Sequence, residues 1–104
     1  MEYKLSDREL SELCLFISVR EITQTFPHYA PSPRTIYRRL EKHGIKQPAR
    51  ARDEFRLRLL KSAPLSLTDK EAKTLIDKEI QRLFEELYAA IEKRAEEYRG
   101  RFSI

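Results

Sequence analysis

The chain has 104 residues, room for one domain or for one small domain with an extended element. One cysteine, two histidines and two glycines leave no internal disulfide, no zinc cluster and no glycine-rich phosphate loop. The formal charge of +4 is concentrated in one window: residues 34–61 hold ten basic and three acidic side chains, against three and five in 1–33 and eight and nine in 62–104. A net of +7 over 28 residues suits a polyanionic partner.

Helix starts are well marked. Ser6-Asp7-Arg8-Glu9 is a capping box, with Leu5 and Leu10 placed as its hydrophobic staple. It predicts a first helix from Asp7 to Ile17, with Leu10, Leu13, Cys14 and Ile17 on one face. Cys14, inside an apolar run, reads as a small buried hydrophobe. Ser18-Val19-Arg20-Glu21 repeats the box, stapled by Ile17 and Ile22, and predicts a second helix from Val19 to Phe26, stopped by Pro27. A turn with two prolines follows, and His28 within it is expected at the surface. Ser32 is then a helix N-cap, with Pro33 at the first helical position, where the missing N–H costs nothing. That third helix ends at Gly44, where a left-handed residue belongs, with Ile45 beyond it able to reach Leu40.

Lys46 to Arg52 is basic and small. It reads as an extended arm, as the start of a fourth helix with Pro48 at its first position, or as part of a short two-stranded wing over residues 45–52. Asp53 to Ser62 reads as helical, with Phe55 and Leu59 four apart, and Pro64 stops it. Thr68-Asp69-Lys70-Glu71 is a third capping box. It opens the longest element, from Asp69 to about Arg99, roughly 45 Å at 1.5 Å per residue. Ile76, Ile80, Leu83 and Leu87 step by four, three and four along it, a coiled-coil-like seam. Phe84, Tyr88, Ile91 and Ala95 widen the seam to a stripe. Such a stripe exceeds what a small domain covers, so Ile76, Ile80, Leu83, Phe84, Leu87, Tyr88 and Ile91 are expected to form a homodimer interface. An internal hairpin with residues 53–62 is the competing arrangement.

Ser18 to Ile45 resembles a helix-turn-helix of the homeodomain-like or winged kind. The residues that carry the likeness are Ser-Val-Arg-Glu-Ile-Thr at 18–23, Ser-Pro-Arg-Thr-Ile-Tyr-Arg-Arg-Leu at 32–40, and Gly44-Ile45. One departure is the link from Phe26 to Ser32, longer than the usual tight turn of three or four residues. The resemblance implies a double-stranded DNA-binding protein, as in small regulators and phage or plasmid proteins.

The residues themselves agree with that implication. Ile36, Leu40 and His43 share one face of the third helix. His43 also falls at the helix C-terminus, where the dipole favours a cation. Arg34, Tyr37 and Arg38 fall on the open side and are the expected base contacts, each arginine offering a fork to a guanine edge. Ser32, Thr35, Arg39, Lys42, Lys46, Arg50 and Arg52 are the expected phosphate contacts.

The expected whole is therefore all-α. A helix-turn-helix domain spans 1–47, a basic arm and short helix 48–64, and a long dimerisation helix 65–104. The expected partners are duplex DNA and a second copy, on a near-palindromic site. The alternative is an adaptor whose basic face meets an acidic protein in an assembly. Catalysis, a cofactor and a bound metal are not expected. No basic-then-apolar leader pattern or run of about 18 apolar residues is present, so a cytoplasmic, nucleoid-associated protein is expected. The high charge content, with no asparagine or tryptophan, suits a thermophilic source.

Overall fold

The computed structural model describes residues 3–102. They form five α-helices: α1 (Asp7–Leu13), α2 (Val19–Thr25), α3 (Pro33–Lys42), α4 (Pro48–Lys61) and α5 (Asp69–Phe102). No strand occurs among the described residues, and none of these helices is long and apolar enough to cross a membrane. The wing considered for residues 45–52 is absent, because the chain turns helical at Pro48. Proline at the first position offers a preset φ and lacks only an N–H that has no partner there.

The first two capping boxes form completely. Ser6 Oγ accepts from the Glu9 N–H at 3.1 Å, while a Glu9 carboxylate oxygen accepts from the Ser6 N–H at 2.8 Å. Ser18 and Glu21 repeat the exchange at 3.1 and 3.2 Å. The third box is half made. Thr68 Oγ1 accepts from the Glu71 N–H at 3.2 Å, while its hydroxyl donates to the Glu71 carboxylate at 3.0 Å in place of the return bond from the Thr68 N–H.

α1 stops at Leu13, four residues short of the expected Ile17. The N–H groups of Leu15, Phe16 and Ile17 fold back onto the carbonyls of Glu12 and Leu13 at 3.0–3.1 Å, in tight turns. This swings Phe16 out of the helical path. Its ring meets Phe55 of α4 edge-on at 5.7 Å and Phe84 of α5 at 6.3 Å. Cys14 is fully buried, and its thiol donates to the Ser11 carbonyl at 3.0 Å. Burial pushes that thiol up from its ordinary value, which makes it a poor nucleophile.

One core joins the two ends of the chain. Leu5, Leu10, Leu13, Val19, Ile22, Phe26, Ile36 and Leu40 are buried together with Ile91 of α5, and Ala95 is fully buried as well. Phe84 and Leu87 pack against the same cluster, and the Tyr88 ring lies 5.3 Å from that of Phe26. The expectation that α5 is too long to find cover within its own chain needs correction here. Its C-terminal half lies on the N-terminal helices, and Ile91 is inside the chain's own core rather than on a surface open to a second copy. Its N-terminal half pairs with α4, where Ile76 is buried and Arg56 meets Asp77 at 2.5 Å.

Glu9 fastens this closure. It is 2% exposed and accepts from the Tyr3 hydroxyl at 2.5 Å, from the Ser6 N–H, and from Arg94 of α5 at 3.0 Å. Burial raises the pKa of its carboxyl, but these donors outweigh burial and hold it below the ordinary 4.5. A lowered folded-state pKa gives stability that is present above the unfolded value and lost as pH falls through the folded one. Asp7 acts in the same direction, lowered by His43 and then Arg39. Denaturant unfolding of Glu9→Gln is therefore expected to show a flatter stability profile below about pH 4.5. An unchanged slope would mean that Glu9 titrates as it does in the unfolded chain.

Candidate nucleic-acid interface

α3 is held from both ends. At its start, Ser32 Oγ accepts from the Thr35 N–H at 3.3 Å, and its hydroxyl donates to Thr35 Oγ1 at 3.0 Å. At its end, Gly44 adopts φ +85°, the left-handed region that favours glycine. The Gly44 N–H donates to the Glu41 carbonyl at 3.0 Å and the Ile45 N–H to that of Leu40 at 2.9 Å, which is the Schellman closure expected from Gly44-Ile45.

The helix is strongly two-sided. Ile36 and Leu40 are fully buried against α1 and α2. Arg34, Tyr37, Arg38, Glu41 and Lys42 are exposed, and Tyr37 keeps 51% of its surface in solvent. Positions 34, 37, 38 and 41 follow helical spacing, so they form one stripe. Neither Arg34 nor Arg38 has an ion-pair partner among the described residues, which leaves both guanidinium forks available.

The long link between α2 and α3 does not hang loose. The Tyr29 and Ala30 N–H groups bond the Phe26 carbonyl at 3.1 and 2.9 Å, and the Leu5 N–H bonds the Tyr29 carbonyl at 3.0 Å. The Tyr29 ring rests against Tyr3 at 5.8 Å and Phe26 at 6.3 Å. His28 is exposed, as expected. The extra residues are thus anchored on the core, and α3 is presented at a fixed attitude.

The expected phosphate contacts divide. Lys42, Lys46 and Arg50 are exposed, and Lys46 and Arg50 flank an open cleft of about 440 Å³ between the end of α3 and the start of α4. Arg50 also pairs with Glu54 at 3.2 Å, an exposed (i, i+4) pair of little energetic weight. Ser32 and Thr35 lie at the α3 start, with their hydroxyls already engaged by each other. Arg39 needs correction. It donates to the Asp7 carboxylate and to the Leu5 carbonyl, so its guanidinium ties α3 to the start of α1. Arg52 is half-buried and close enough to Cys14 for its charge to act on the thiol, so it belongs to the interior side of α4.

Sequence reasoning missed Asp7 as the anchor of the α3 C-terminus. His43 was expected on the buried face; instead it is exposed, with Nε2 2.6 Å from Asp7 Oδ2. Asp7 reads locally as a first-turn acidic residue, which any helix start welcomes. Its partners lie 32 and 36 residues away, where no local pattern reaches. No group of three or more potential metal ligands occurs among the described residues. No protein-family model, curated protein or solved structure matches the chain.

Proposed function

We propose that the chain binds double-stranded DNA with some sequence preference, α2 and α3 forming a helix-turn-helix whose second helix enters the major groove. In this reading it acts as a dimer, as a repressor-type regulator or as a DNA-organising protein of plasmid or phage type. The observation that carries the reading is the segregation on α3: a buried Ile36–Leu40 face opposite an open stripe with two unpaired arginines and Tyr37. A groove wide enough for one α-helix takes such a stripe, and the residues nearest the helix start reach base edges first. Lys42, Lys46 and Arg50 continue the positive surface beyond the helix end, where phosphates of the same duplex pass. Ser32 and Thr35 lie at the dipole's positive end and serve as backbone contacts.

Gel shift with random duplex at two salt concentrations is the first test. Binding at low salt that weakens steeply with added salt supports the reading, and no shift at low salt sinks it in favour of an adaptor that meets an acidic protein. In-vitro selection should then recover a near-palindrome with half-sites about 34 Å apart. The double variant Lys46→Ala/Arg50→Ala should weaken cognate and random duplex alike. It should also shallow the slope of log K against log salt by about one for each lost phosphate contact. An unchanged slope would remove both residues from the contact set.

A further inference from the structure

α3 carries one charge that its own helix does not favour. Its first turn holds no acid, its last turn holds Arg39 and Lys42, and its single carboxylate, Glu41, also lies in that last turn, where the helix dipole resists negative charge. The Glu41 side chain is exposed and makes no ion pair or hydrogen bond among the described residues, although Arg38, one turn back, and Lys42 line the same shallow surface cleft. Its backbone is fixed, because the Glu41 carbonyl accepts from the Gly44 N–H at 3.0 Å. The fold thus holds Glu41 in place without using its carboxylate. Seven residues separate Arg34 from Glu41. At 3.6 residues per turn Glu41 returns to within about 20° of the same side, roughly 10.5 Å along the axis. Arg38 lies between them, so the three share the open stripe opposite buried Ile36 and Leu40. At about 3.4 Å per base pair, that stripe spans about three base steps.

We propose that Glu41 is a specificity-determining residue: it accepts a hydrogen bond from the 4-amino group of a cytosine in the major groove, within about four base pairs of the guanines read by Arg34 and Arg38. The inference rests on the DNA-binding reading of α3 and names one base of the sequence preferred.

Chemistry selects the base. A carboxylate is repelled by phosphates, so Glu41 opposes duplex binding in general, unlike the cations around it. An ionised carboxylate only accepts, so in the groove it needs a donor. Guanine shows two acceptors there, and thymine an acceptor and a methyl group. Both would leave the charged oxygens desolvated without a partner. Adenine offers its N6 amino group, but beside the N7 acceptor, whose lone pair then faces a charged oxygen. Cytosine presents its N4 amino group with no acceptor next to it. Cytosine is therefore the base that compensates the charge, and Glu41 acts by excluding the other three as much as by attracting this one.

The test is fluorescence anisotropy of the full chain on the duplex recovered by in-vitro selection and on duplexes changed at one base pair at a time. The wild type should disfavour replacement of one cytosine by about 5- to 150-fold. Glu41→Ala should bring all four bases at that position to within about 2-fold of one another and keep the guanine preferences that Arg34→Ala and Arg38→Ala abolish. It should also bind random duplex at least as tightly as the wild type, the opposite sign to the arginine variants, with an undiminished melting midpoint. Glu41→Gln, whose amide matches N6 and N7 of adenine, should move the preference at that position toward adenine. A Glu41→Ala variant that retains every wild-type preference overturns the proposal. So does one that loses preference only at the guanines of the two arginines, which would make Glu41 a positioning residue for Arg38. Both outcomes leave the DNA-binding reading standing. A wild type that binds every duplex alike overturns the proposal and the sequence preference, and one that binds no duplex at low salt sinks the whole DNA reading with it.

Discussion

Arg34→Ala and Arg38→Ala are each expected to weaken binding to a selected duplex by about 5- to 150-fold, the span that one bidentate guanine contact of about 1–3 kcal/mol covers. Random duplex should lose much less, because there each arginine supplies only charge. The separation depends on α3 staying in place. Ile36 and Leu40 hold it from beneath, and Arg39 and His43 tie it to Asp7. Neither Arg34 nor Arg38 takes part in that fastening, so both can be removed with little effect on the fold. Arg39→Ala is the contrasting control: it loosens α3 and should lower stability before it alters sequence preference. Fluorescence anisotropy on cognate and random duplexes reads both quantities. Equal losses on the two duplexes would remove Arg34 and Arg38 as base readers.

Ile91→Ala should cost about 2–5 kcal/mol, the range for truncating a fully buried aliphatic side chain in a core that cannot collapse around the gap. Ile91 is 0% exposed and lies within the same cluster as Leu10, Ile22, Ile36 and Leu40. For a domain of about 100 residues each kcal/mol moves the melting midpoint by roughly 4–8 °C, so a fall of roughly 8–40 °C is expected. Leu75→Ala, on the same helix at a 48%-exposed position, should stay within about 0.5 kcal/mol in the monomer. Thermal melts at low protein concentration keep self-association out of the comparison. Equal, small shifts in the two variants would mean that α5 does not pack on the N-terminal helices.

The elements of the fold were legible where the signal is local. Ser6, Ser18 and Ser32 mark helix starts because an orphaned N–H needs an acceptor within three residues, and Gly44 marks an end because φ +85° favours glycine. The exposed stripe of α3 was equally readable, since it follows from helical spacing alone. What escaped was partner choice. The stripe on α5 declared that something covers it, but a 3.6-residue period is silent on whether the cover is another chain or this one. The answer depends on the turn at Cys14–Ile17, which aims Phe16 at Phe84, and on the pairing of buried Glu9 with the exposed Arg94, 85 residues apart. Arg39 was misplaced for the same reason: its helix position allows both an outward and an inward reach, and Asp7 decided between them.

The closure of Ile91 and Arg94 onto the first helix also sets an order of events during synthesis. The segment proposed to read DNA is complete in sequence by Ile45, yet Ile91, which seals its core, emerges 46 residues later. A nascent chain that has not reached Ile91 therefore carries Leu10, Ile22 and Phe26 with one wall missing, and its Glu9 lacks its guanidinium. The amino-terminal half is consequently expected to mature only once α5 has been made, and a fragment cut before α5 should fold poorly on its own. Each molecule that presents α3 in working form would then have been translated through α5.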